Sequence, residues 1–435
     1  MKRFIIDRLT EWKDSPSRKP LILLGARQVG KTWVMKEFGR THYENYAYLN
    51  CDDEPMAKNL FAVDYDIKRI LLTIQAITHE KIEAGKTLLI IDEIQESPRA
   101  LHALKYFCEN APEYHVIAAG SLLGVTLGSK ESYPVGKVNM MRLFPMNFKE
   151  FLLATGEEEC FNVLHEGDWQ TVQLLHSKLV QMLRQYYFTG GMPEAVADFI
   201  ENQNLANVRS IQAEIISAYK MDIAKHATKS EAVRITQILD SMPSQLVKEN
   251  RKFIYGIIKE GARASSYELA IQWLIDAGIV YKVPRVKTLK MPLKAYIDAN
   301  SFKLFMLDCG LLGCMANVPA SQVIASDNML TEYKGAFTEQ YVHQQLISIG
   351  LEPHYWSNDR TPAEIDFVVQ QGERVIPIEV KAEENVRSRS MAEYIKNNPE
   401  LSLKGLRISM KGFIDQGWMV NIPLYSVEGI IRQTI

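Results

Sequence analysis

The chain has 435 residues, which is too long for one ordinary domain, so the sequence predicts two or three domains that each bury a core. A composition of 47% hydrophobic and 23% charged residues is ordinary for a soluble globular protein. The net charge of −2 excludes a globally basic surface, so any binding to nucleic acid must depend on local patches.

The cysteines and the apolar runs indicate the compartment. Five cysteines, at positions 51, 108, 160, 309 and 314, form no CxxC pair, which predicts buried reduced thiols rather than disulfides or a zinc site. No run of about eighteen apolar residues is present, and the N-terminal stretch MKRFIIDRLTEWKD lacks the apolar core of a signal peptide. These features predict a cytoplasmic protein without membrane contact.

Residues 21–38, LILLGARQVGKTWVMKEF, predict a strand, a glycine loop and a helix with the spacing of a phosphate-binding loop. Gly25 and Gly30 let backbone N–H groups approach a phosphate, and the following helix directs its positive end there. Lys31 can reach the β- and γ-phosphates of ATP, and the Thr32 hydroxyl can bind Mg²⁺. A chance glycine-rich turn is the alternative, and the flanking strand and helix weigh against it. The residues predicted to surround the nucleotide are Gly25, Ala26, Arg27, Gln28, Val29, Gly30, Lys31, Thr32, Trp33, Asp92 and Ser121.

A second apolar strand, residues 87–92, ends in the carboxylates Asp92 and Glu93. Parallel α/β sheets place ligand sites at the carboxyl ends of their strands, so this pair is predicted to lie at the same edge as the glycine loop. Asp92 would hold Mg²⁺ through water, and Glu93 would orient or deprotonate the attacking water, as in a Walker B strand. An ordinary acidic pair at a strand end is the alternative.

Two further residues are candidates for the same site. Ser121 follows a third strand, residues 114–119, where a polar side chain can contact the γ-phosphate; the alternative is a helix N-cap. Arg142 lies in the stretch MMRLFPMNFKEF and can stabilise charge on the transferring phosphoryl group. A solvated surface arginine is the alternative for Arg142, and its action within one subunit or on a neighbouring one is left open.

The predicted secondary structure changes near residue 150, from alternating strands and helices to helices alone. Residues 1–150 alternate strands and helices, which predicts an α/β fold with a parallel sheet covered on both faces. Residues 151–245 lack strand signals and predict a helical lid or connector. Its helices are predicted over 172–187 and 208–223, with the breaker TGGMP at 189–193 between them.

Residues 246–325 predict a winged-helix domain. Its predicted elements are helices over 253–259 and 267–277, a strand over 279–283, a turn or wing over 284–292 and a returning strand over 295–298. Six Lys or Arg and a single Asp lie between Tyr281 and Leu304, so the wing could contact DNA phosphates through Arg285, Lys287 and Lys290. The alternative is a solvated wing in a domain used for protein contact.

Residues 326–435 contain a second set of chemically suggestive residues. A helix over 333–349 carries Glu339, and AEIDFVVQQGERVIPIEVK predicts a β-hairpin whose turn begins at Gly372. That turn would place Asp366 directly opposite Glu379 on one face, with Lys381 on the same face.

Two facing carboxylates repel each other unless a cation lies between them. Asp366 and Glu379, with Glu339, would therefore hold a second Mg²⁺ or Mn²⁺, and Lys381 would position or deprotonate the water, as in a metal-dependent nuclease. The alternative is a solvent-facing polar stripe on an antiparallel strand.

Nearly the whole chain resembles a large prokaryotic family of AAA-type P-loop ATPases with a C-terminal domain of unknown function that looks like a restriction-endonuclease, PD-(D/E)xK, fold. The motifs that carry the resemblance are GARQVGKT, LLIIDEIQ, AAGSLLG, RLFPMNFKEF, FTGGMPEAV, KFIYGIIKEGARASSYELAIQWLIDAGIVYKV, FKLFMLDCGLL, KGAFTEQYV, AEIDFVV and PIEVK. The resemblance implies the ATPase roles for Lys31, Thr32, Asp92 and Glu93. It implies the nuclease-like roles for Glu339, Asp366, Glu379 and Lys381.

Two functions follow as hypotheses. The first is a Mg²⁺-dependent ATPase that regulates a nuclease-like domain acting on double-stranded DNA, which the intact Asp366, Glu379 and Lys381 favour. The second is a nucleotide-dependent switch or scaffold, a homo-oligomer or the partner of another protein, whose C-terminal domain only binds. The near-neutral net charge favours the second.

Overall fold

The computed structural model describes residues 1–52, 60–61, 63–120, 134–246, 252–325, 331–382 and 388–429. These residues fall into two compact units. The N-terminal unit comprises Lys2–Phe144 and Asp276–Ile279, and the C-terminal unit comprises Pro145–Ile275 and Val280–Ile435. Within the described residues, no helix combines the length and the apolar character needed to span a bilayer.

The N-terminal unit contains a five-stranded sheet in the order β2-β3-β4-β1-β5, with all neighbouring strands parallel. Its strands are β1 (Leu21–Leu24), β2 (Asn45–Asn50), β3 (Thr87–Asp92), β4 (His115–Ala119) and β5 (Asn139–Arg142). Its helices are α1 (Ile5–Asp14), α2 (Lys31–His42), α3 (Ile67–Thr78) and α4 (Pro98–Asn110). Every residue of β3 and β4 is buried, as expected for strands covered on both faces by helices. The predicted parallel α/β sheet is confirmed.

The C-terminal unit begins with seven helices and has no strand between residues 148 and 246. They are α5 (Phe148–Ala154), α6 (Glu158–Glu166), α7 (Trp169–Leu174), α8 (His176–Thr189), α9 (Pro193–Asn202), α10 (Leu205–His226) and α11 (Lys229–Leu246). The single helix expected over 172–187 is two helices, because Leu175 adopts φ −86° and ψ 3° between α7 and α8. Five further helices are α12 (Tyr255–Ile258), α13 (Ala264–Asp276), α14 (Cys309–Met315), α15 (Thr331–Ser348) and α16 (Arg389–Asn397).

An eight-stranded sheet completes the C-terminal unit, in the order β12-β13-β11-β10-β9-β8-β6-β7. The strands are β6 (Val280–Val286), β7 (Ile297–Met306), β8 (His354–Ser357), β9 (Glu364–Gln371), β10 (Arg374–Val380), β11 (Gly405–Ser409), β12 (Ile414–Asp415) and β13 (Met419–Pro423). The sequence placed β6 and β7 in a winged-helix domain of their own, yet both strands belong to the sheet that contains β8 to β13.

Arg285 explains why the expected wing is part of this larger sheet. Its guanidinium donates to the Ser357 carbonyl oxygen at 2.6 Å and to Asp359 Oδ1 at 2.5 Å, and Arg285 pairs with Tyr355 between parallel β6 and β8. These bonds join β6 to β8. Strand β6 therefore continues to Val286, into the stretch where the sequence predicted a turn.

The β9–β10 hairpin has the predicted register. Pairs run from Gln371 with Arg374 to Phe367 with Ile378, and Gly372 in the turn has a φ of +57°. Because side chains alternate across a strand, this register places the next pair, Asp366 and Glu379, on one face.

The two glycines of FTGGMPEAV allow a close approach inside the C-terminal unit. A Cβ on Gly191 would lie 1.9 Å from the Met146 carbonyl oxygen, and one on Gly190 would lie 2.1 Å from Asp308 Oδ1. The buried Asp308 accepts hydrogen bonds from Gly191 N at 2.6 Å and from Gln344 Nε2 at 3.0 Å. The connector and α15 thus meet at one buried carboxylate.

Replacing Gly191 by alanine should destabilise the protein, because the new methyl group must displace the backbone of Met146. We expect Gly191→Ala to lower the free energy of unfolding by about 2–3 kcal/mol, as for overpacking in a core. Urea unfolding followed by circular dichroism measures the change. Gly256→Ala is the control, because a Cβ there meets nothing within 4 Å. Equal unfolding midpoints for the two variants would contradict the close packing of Gly191 against the Met146 backbone.

Candidate functional site

The glycine loop between β1 and α2 has backbone angles suited to binding an anion. Gly25, Gln28 and Gly30 have φ values of +154°, +66° and +93°. A Cβ on Gly25 would lie 2.5 Å from the Leu143 carbonyl oxygen, so only glycine fits there. The first turn of α2 contains no acidic side chain, which leaves the positive end of the helix directed at the loop.

Lys31 lies across this loop at the first residue of α2. It is buried, and its Nζ donates to the Gly25 carbonyl oxygen at 3.0 Å and to the Ala26 carbonyl oxygen at 2.8 Å. The ammonium is therefore held where a phosphate would contact the loop. Of the other predicted loop residues, Ala26 and Val29 are buried, Arg27 is half-buried, and Gln28 and Trp33 are exposed.

A short hydrogen bond joins the glycine loop to the end of β3. Thr32 Oγ1 donates to Asp92 Oδ2 at 2.6 Å, and the Tyr48 hydroxyl donates to the same oxygen at 3.1 Å. Asp92 is buried. The structure thus brings together the hydroxyl and the carboxylate that were predicted to bind Mg²⁺. A hydroxyl and a carboxylate oxygen are the hard oxygen donors that Mg²⁺ prefers, so these residues fit the ion. Tyr48 was missed, because a tyrosine within a strand gives no sign that it reaches the neighbouring strand end.

Glu93 has a strained backbone, with φ +47° in the left-handed region that side chains other than glycine rarely adopt. Its Oε2 accepts a hydrogen bond from Gln95 Nε2 at 2.5 Å, and its N–H donates to Asp92 Oδ1 at 3.0 Å. Strain of this kind persists where the surroundings enforce it and is concentrated at functional sites. The carboxylate is thus held by Gln95, on the residue that directly follows the end of β3.

The remaining candidates of the nucleotide site have different outcomes. Arg142 pairs with Leu24 between parallel β5 and β1, so it lies at the carboxyl edge of the sheet, beside the first loop glycine. Gly278, in the same unit, is adjacent: a Cβ there would lie 3.5 Å from Arg142 Nη1. Ser121 lies outside the described residues, and its role stays a prediction.

A second cluster of charged side chains lies in the C-terminal unit, and we call it the carboxylate cluster. Its members are Lys303, Glu339, Glu364, Asp366, Glu379 and Lys381. Asp366 Oδ2 accepts a hydrogen bond from Val380 N at 2.7 Å, and Lys381 Nζ lies 2.6 Å from Glu379 Oε1. The structure therefore brings the predicted Asp366, Glu379 and Lys381 together.

Glu379 is electrostatically strained in this cluster. Burial and the negative charge of Asp366 raise the pKa of Glu379 to about 7, although the nearby Lys381 opposes this shift. Within the described residues, the buried Oε2 of Glu379 has no hydrogen-bond partner. A buried carboxylate oxygen without a donor, facing another carboxylate, fits a divalent cation such as Mg²⁺ or Mn²⁺. No group of three or more His, Cys, Asp or Glu side chains able to hold a metal occurs in the described part of the chain.

The sequence did not identify Lys303 and Glu364 as members of this cluster. Lys303 is fully buried; its ammonium pairs with Glu364 and lies 3.6 Å from Glu339 Oε2. Lys303 is one of the six basic residues between Tyr281 and Leu304, but its burial keeps it from contacting DNA phosphates. Its position in the apolar stretch FKLFML was the available signal. Of the wing residues, Arg285 is engaged by Ser357 and Asp359, whereas Lys287 and Lys290 are exposed.

Three segments of the chain match known protein families. Residues 17–152 match the AAA domain, residues 180–322 match a Domain of unknown function (DUF8612), and residues 334–425 match a Domain of unknown function (DUF4143). No match was found among curated proteins. The solved structure of the Aeropyrum pernix ORC1 protein in complex with DNA matches at 12% identity, covering 72% of this chain and 91% of that chain, with a TM-score of 0.28.

Residues 17–152, which match the AAA domain, include the glycine loop, Asp92, Glu93 and Arg142. The parallel sheet, the glycine loop and this match support a P-loop fold of the AAA type for residues 17–152.

The raised pKa of Glu379 predicts a pH-dependent stability. A carboxyl that titrates near 4.5 when unfolded and at about 7 when folded stabilises the fold below pH 4.5, and this contribution is lost as pH rises to 7. The Glu379→Gln variant has no carboxyl at this position, so it does not lose this stabilisation as pH rises. Without divalent cations, the free energy of unfolding of the variant minus that of the parent should therefore rise by about 3 kcal/mol between pH 4.5 and 7.

Urea unfolding in EDTA at both pH values measures this difference. Glu373→Gln, in the exposed turn of the same hairpin, should differ from the parent by the same amount at both pH values. A pH-independent difference for Glu379→Gln would show that Glu379 is ionised normally.

Proposed function

We propose that this protein is a Mg²⁺-dependent ATPase whose nucleotide state regulates a C-terminal nuclease-like domain acting on double-stranded DNA. The observation that supports the ATPase activity best is the hydrogen bond between Thr32 and Asp92 beside the glycine loop. It brings a hydroxyl from the start of α2 next to a carboxylate at the end of β3. Hydrolysis of ATP requires the hydroxyl and the carboxylate to be close together. An ordinary glycine-rich turn has no such requirement.

In this proposal each side chain of the nucleotide site has one role. Thr32 and, through water, Asp92 would hold Mg²⁺, which when bound offsets charge on the β- and γ-phosphates. The Lys31 ammonium would exchange its bonds to two loop carbonyl groups for bonds to the phosphates. Glu93 would orient the attacking water and accept its proton, and Arg142 would stabilise charge on the phosphoryl group.

The C-terminal activity is supported by Asp366 and Glu379 on adjacent strands, with Lys381 beside them. The two carboxylates would hold a divalent cation, which supplies charge stabilisation to a phosphodiester. Lys381 would orient the attacking water or help remove its proton. The exposed Lys287 and Lys290 would contact DNA phosphates through salt-sensitive interactions.

Regulation by nucleotide is supported by the segment between α13 and β6. Residues Asp276–Ile279 belong to the N-terminal unit, and Gly278 lies next to Ala26 and Arg142 of the nucleotide site. The chain then enters β6, which begins at Val280 and pairs with β7. A change at the glycine loop would thus reach, along the backbone, the hairpin whose second strand carries Lys303.

A catalytically silent C-terminal domain is the second candidate function. The observation that favours it is the pairing of the cluster carboxylates with protein cations, Lys303 and Lys381. In that case the protein would be a nucleotide-dependent switch or scaffold. Its partner would be a protein or a second copy of the chain.

Two substitutions in the nucleotide site should separate binding from hydrolysis. Lys31→Ala should abolish ATP binding, because it removes the ammonium at the loop. Glu93→Gln should retain binding within about twofold but lower the hydrolysis rate by about 100-fold or more, as expected for loss of a general base. Fluorescent ATP titration and phosphate release measure the two effects.

Arg40→Ala is the control for these variants, because Arg40 lies exposed at the far end of α2. It should bind and hydrolyse ATP like the parent. Unchanged ATP affinity in Lys31→Ala would refute the site assignment.

Metal binding by the C-terminal unit is tested with the nucleotide site disabled. In a Lys31→Ala background, Mn²⁺ should raise the melting temperature, and Asp366→Asn should remove this rise because it removes half of the proposed ligand pair. Lys381→Ala should keep the rise but lose Mn²⁺-dependent cleavage of plasmid DNA. Glu373→Gln, with an exposed side chain in the same hairpin, should behave like the background.

The two candidate functions differ in these assays. An active nuclease requires both the Mn²⁺ response and cleavage in the Lys31→Ala background. Stabilisation without cleavage would favour the scaffold. A Mn²⁺-induced rise in melting temperature that is the same with and without Asp366→Asn would exclude the proposed metal site.

A further inference from the structure

Lys303 is unusual for a charged residue, because its side chain has an exposed fraction of 0%. Lysine is almost never fully buried unless it is paired, since removing an ammonium from water costs several kcal/mol. Lys303 meets this condition through carboxylates from two elements, Glu364 on β9 and Glu339 on α15. Its Nζ also lies 5.0 Å from the centre of the Tyr355 ring, where a cation is favoured.

The group formed by Glu339, Lys303 and Glu364 adjoins the pair that is proposed to bind a metal. Glu364 is two residues before Asp366 on β9, so both side chains are on the same face of the sheet. The charge of Glu364 also acts on Glu379. The cluster thus contains two pairs of carboxylates: Glu339 with Glu364, and Asp366 with Glu379.

These two pairs differ in the cation that the protein supplies. The ammonium of Lys303 lies between the carboxylates of the first pair. Lys381 Nζ lies 2.6 Å from Glu379 Oε1 in the second pair, and Oε2 of Glu379 is buried without a hydrogen-bond partner in the described structure. A fully buried ammonium therefore already lies within ion-pair distance of both carboxylates of the first pair, whereas the ammonium beside the second pair belongs to a partly exposed lysine.

We propose that Lys303 is a built-in cation that occupies the position between Glu339 and Glu364, so that the C-terminal site binds one divalent cation rather than two. This inference deepens the proposed function and rests on it for the metal at Asp366 and Glu379. It assigns Glu339, predicted from the sequence as a metal ligand, to the ammonium of Lys303. Lys303 is in this account a positioning residue that sets the metal stoichiometry.

Substitution of Lys303 by methionine tests the proposal. Methionine is apolar and similar in length, so Lys303→Met leaves Glu339 and Glu364 facing each other without a counter-charge. Repulsion between buried carboxylates favours uptake of a cation. Bound Mn²⁺ is counted by electron paramagnetic resonance in the full chain carrying Lys31→Ala, without nucleotide. We expect one bound Mn²⁺ in this background and two after Lys303→Met.

Lys282→Met is the matched control, because Lys282 is exposed and its residue pairs with Leu304, next to Lys303, across β6 and β7. It should leave the Mn²⁺ count unchanged. A count that does not increase in folded Lys303→Met would overturn the role of Lys303. A count of zero in the background with one in Lys303→Met would refute the metal at Asp366 and Glu379 but support the role of Lys303.

Glu339→Gln provides a second test that does not require Lys303→Met to fold. If Glu339 pairs with the ammonium of Lys303 and is not a metal ligand, Glu339→Gln should keep the Mn²⁺ affinity of the background within about twofold. A tenfold or larger loss of affinity, with the circular dichroism spectrum unchanged, would show that Glu339 is a metal ligand and would overturn the proposal.

Discussion

The antiparallel register between β9 and β10 decides which side chains meet in the carboxylate cluster. A shift of β9 by one residue would move Asp366 to the face opposite Glu379 and would also take Phe367 off the face that it shares with Ile378, where both residues are fully buried. The free energy of burying these apolar residues therefore holds the like charges together. The repulsion between Asp366 and Glu379 is a consequence of the fold, and a bound cation would relieve it.

In the N-terminal unit, one hydrogen bond links two parts of the candidate nucleotide site that lie on separate strands. Strand β4 lies between β1 and β3, so the glycine loop and the Asp92–Glu93 pair are not on neighbouring strands. The Thr32–Asp92 hydrogen bond spans this interval and fixes the start of α2 relative to the end of β3. The strained backbone of Glu93 follows directly, because the chain must turn immediately after Asp92 to begin the next helical turn.

Local sequence rules were sufficient to predict the glycine loop and the register of the β9–β10 hairpin. The spacing of Gly25, Gly30 and Lys31 predicts the loop, because an apolar strand precedes it and an amphipathic helix follows it. The position of Gly372 likewise predicts the register that brings Asp366 to Glu379. Each prediction depends on a turn and the strands beside it, which are encoded within a few residues.

Long-range partners could not be predicted in this way. In the sequence, Lys303 is one of several basic residues of the predicted wing. Only the fold shows that β7 brings it to Glu339 and Glu364, which are distant in the sequence. The glycines at 190 and 191 predict a helix break, but their contact with Met146 and Asp308 depends on helix packing. The spacing of residues along the sequence does not show which distant side chain lies beside a given residue in the fold.

The proposed function requires two separate oxygen-ligand sites for divalent cations, one in each unit of the chain. Anomalous scattering from Mn²⁺ in crystals grown with a non-hydrolysable ATP analogue would locate both ions directly. The account predicts one peak at Thr32 and Asp92 and one between Asp366 and Glu379. A peak between Glu339 and Glu364, or the absence of any peak at Asp366 with the nucleotide site occupied, would contradict it.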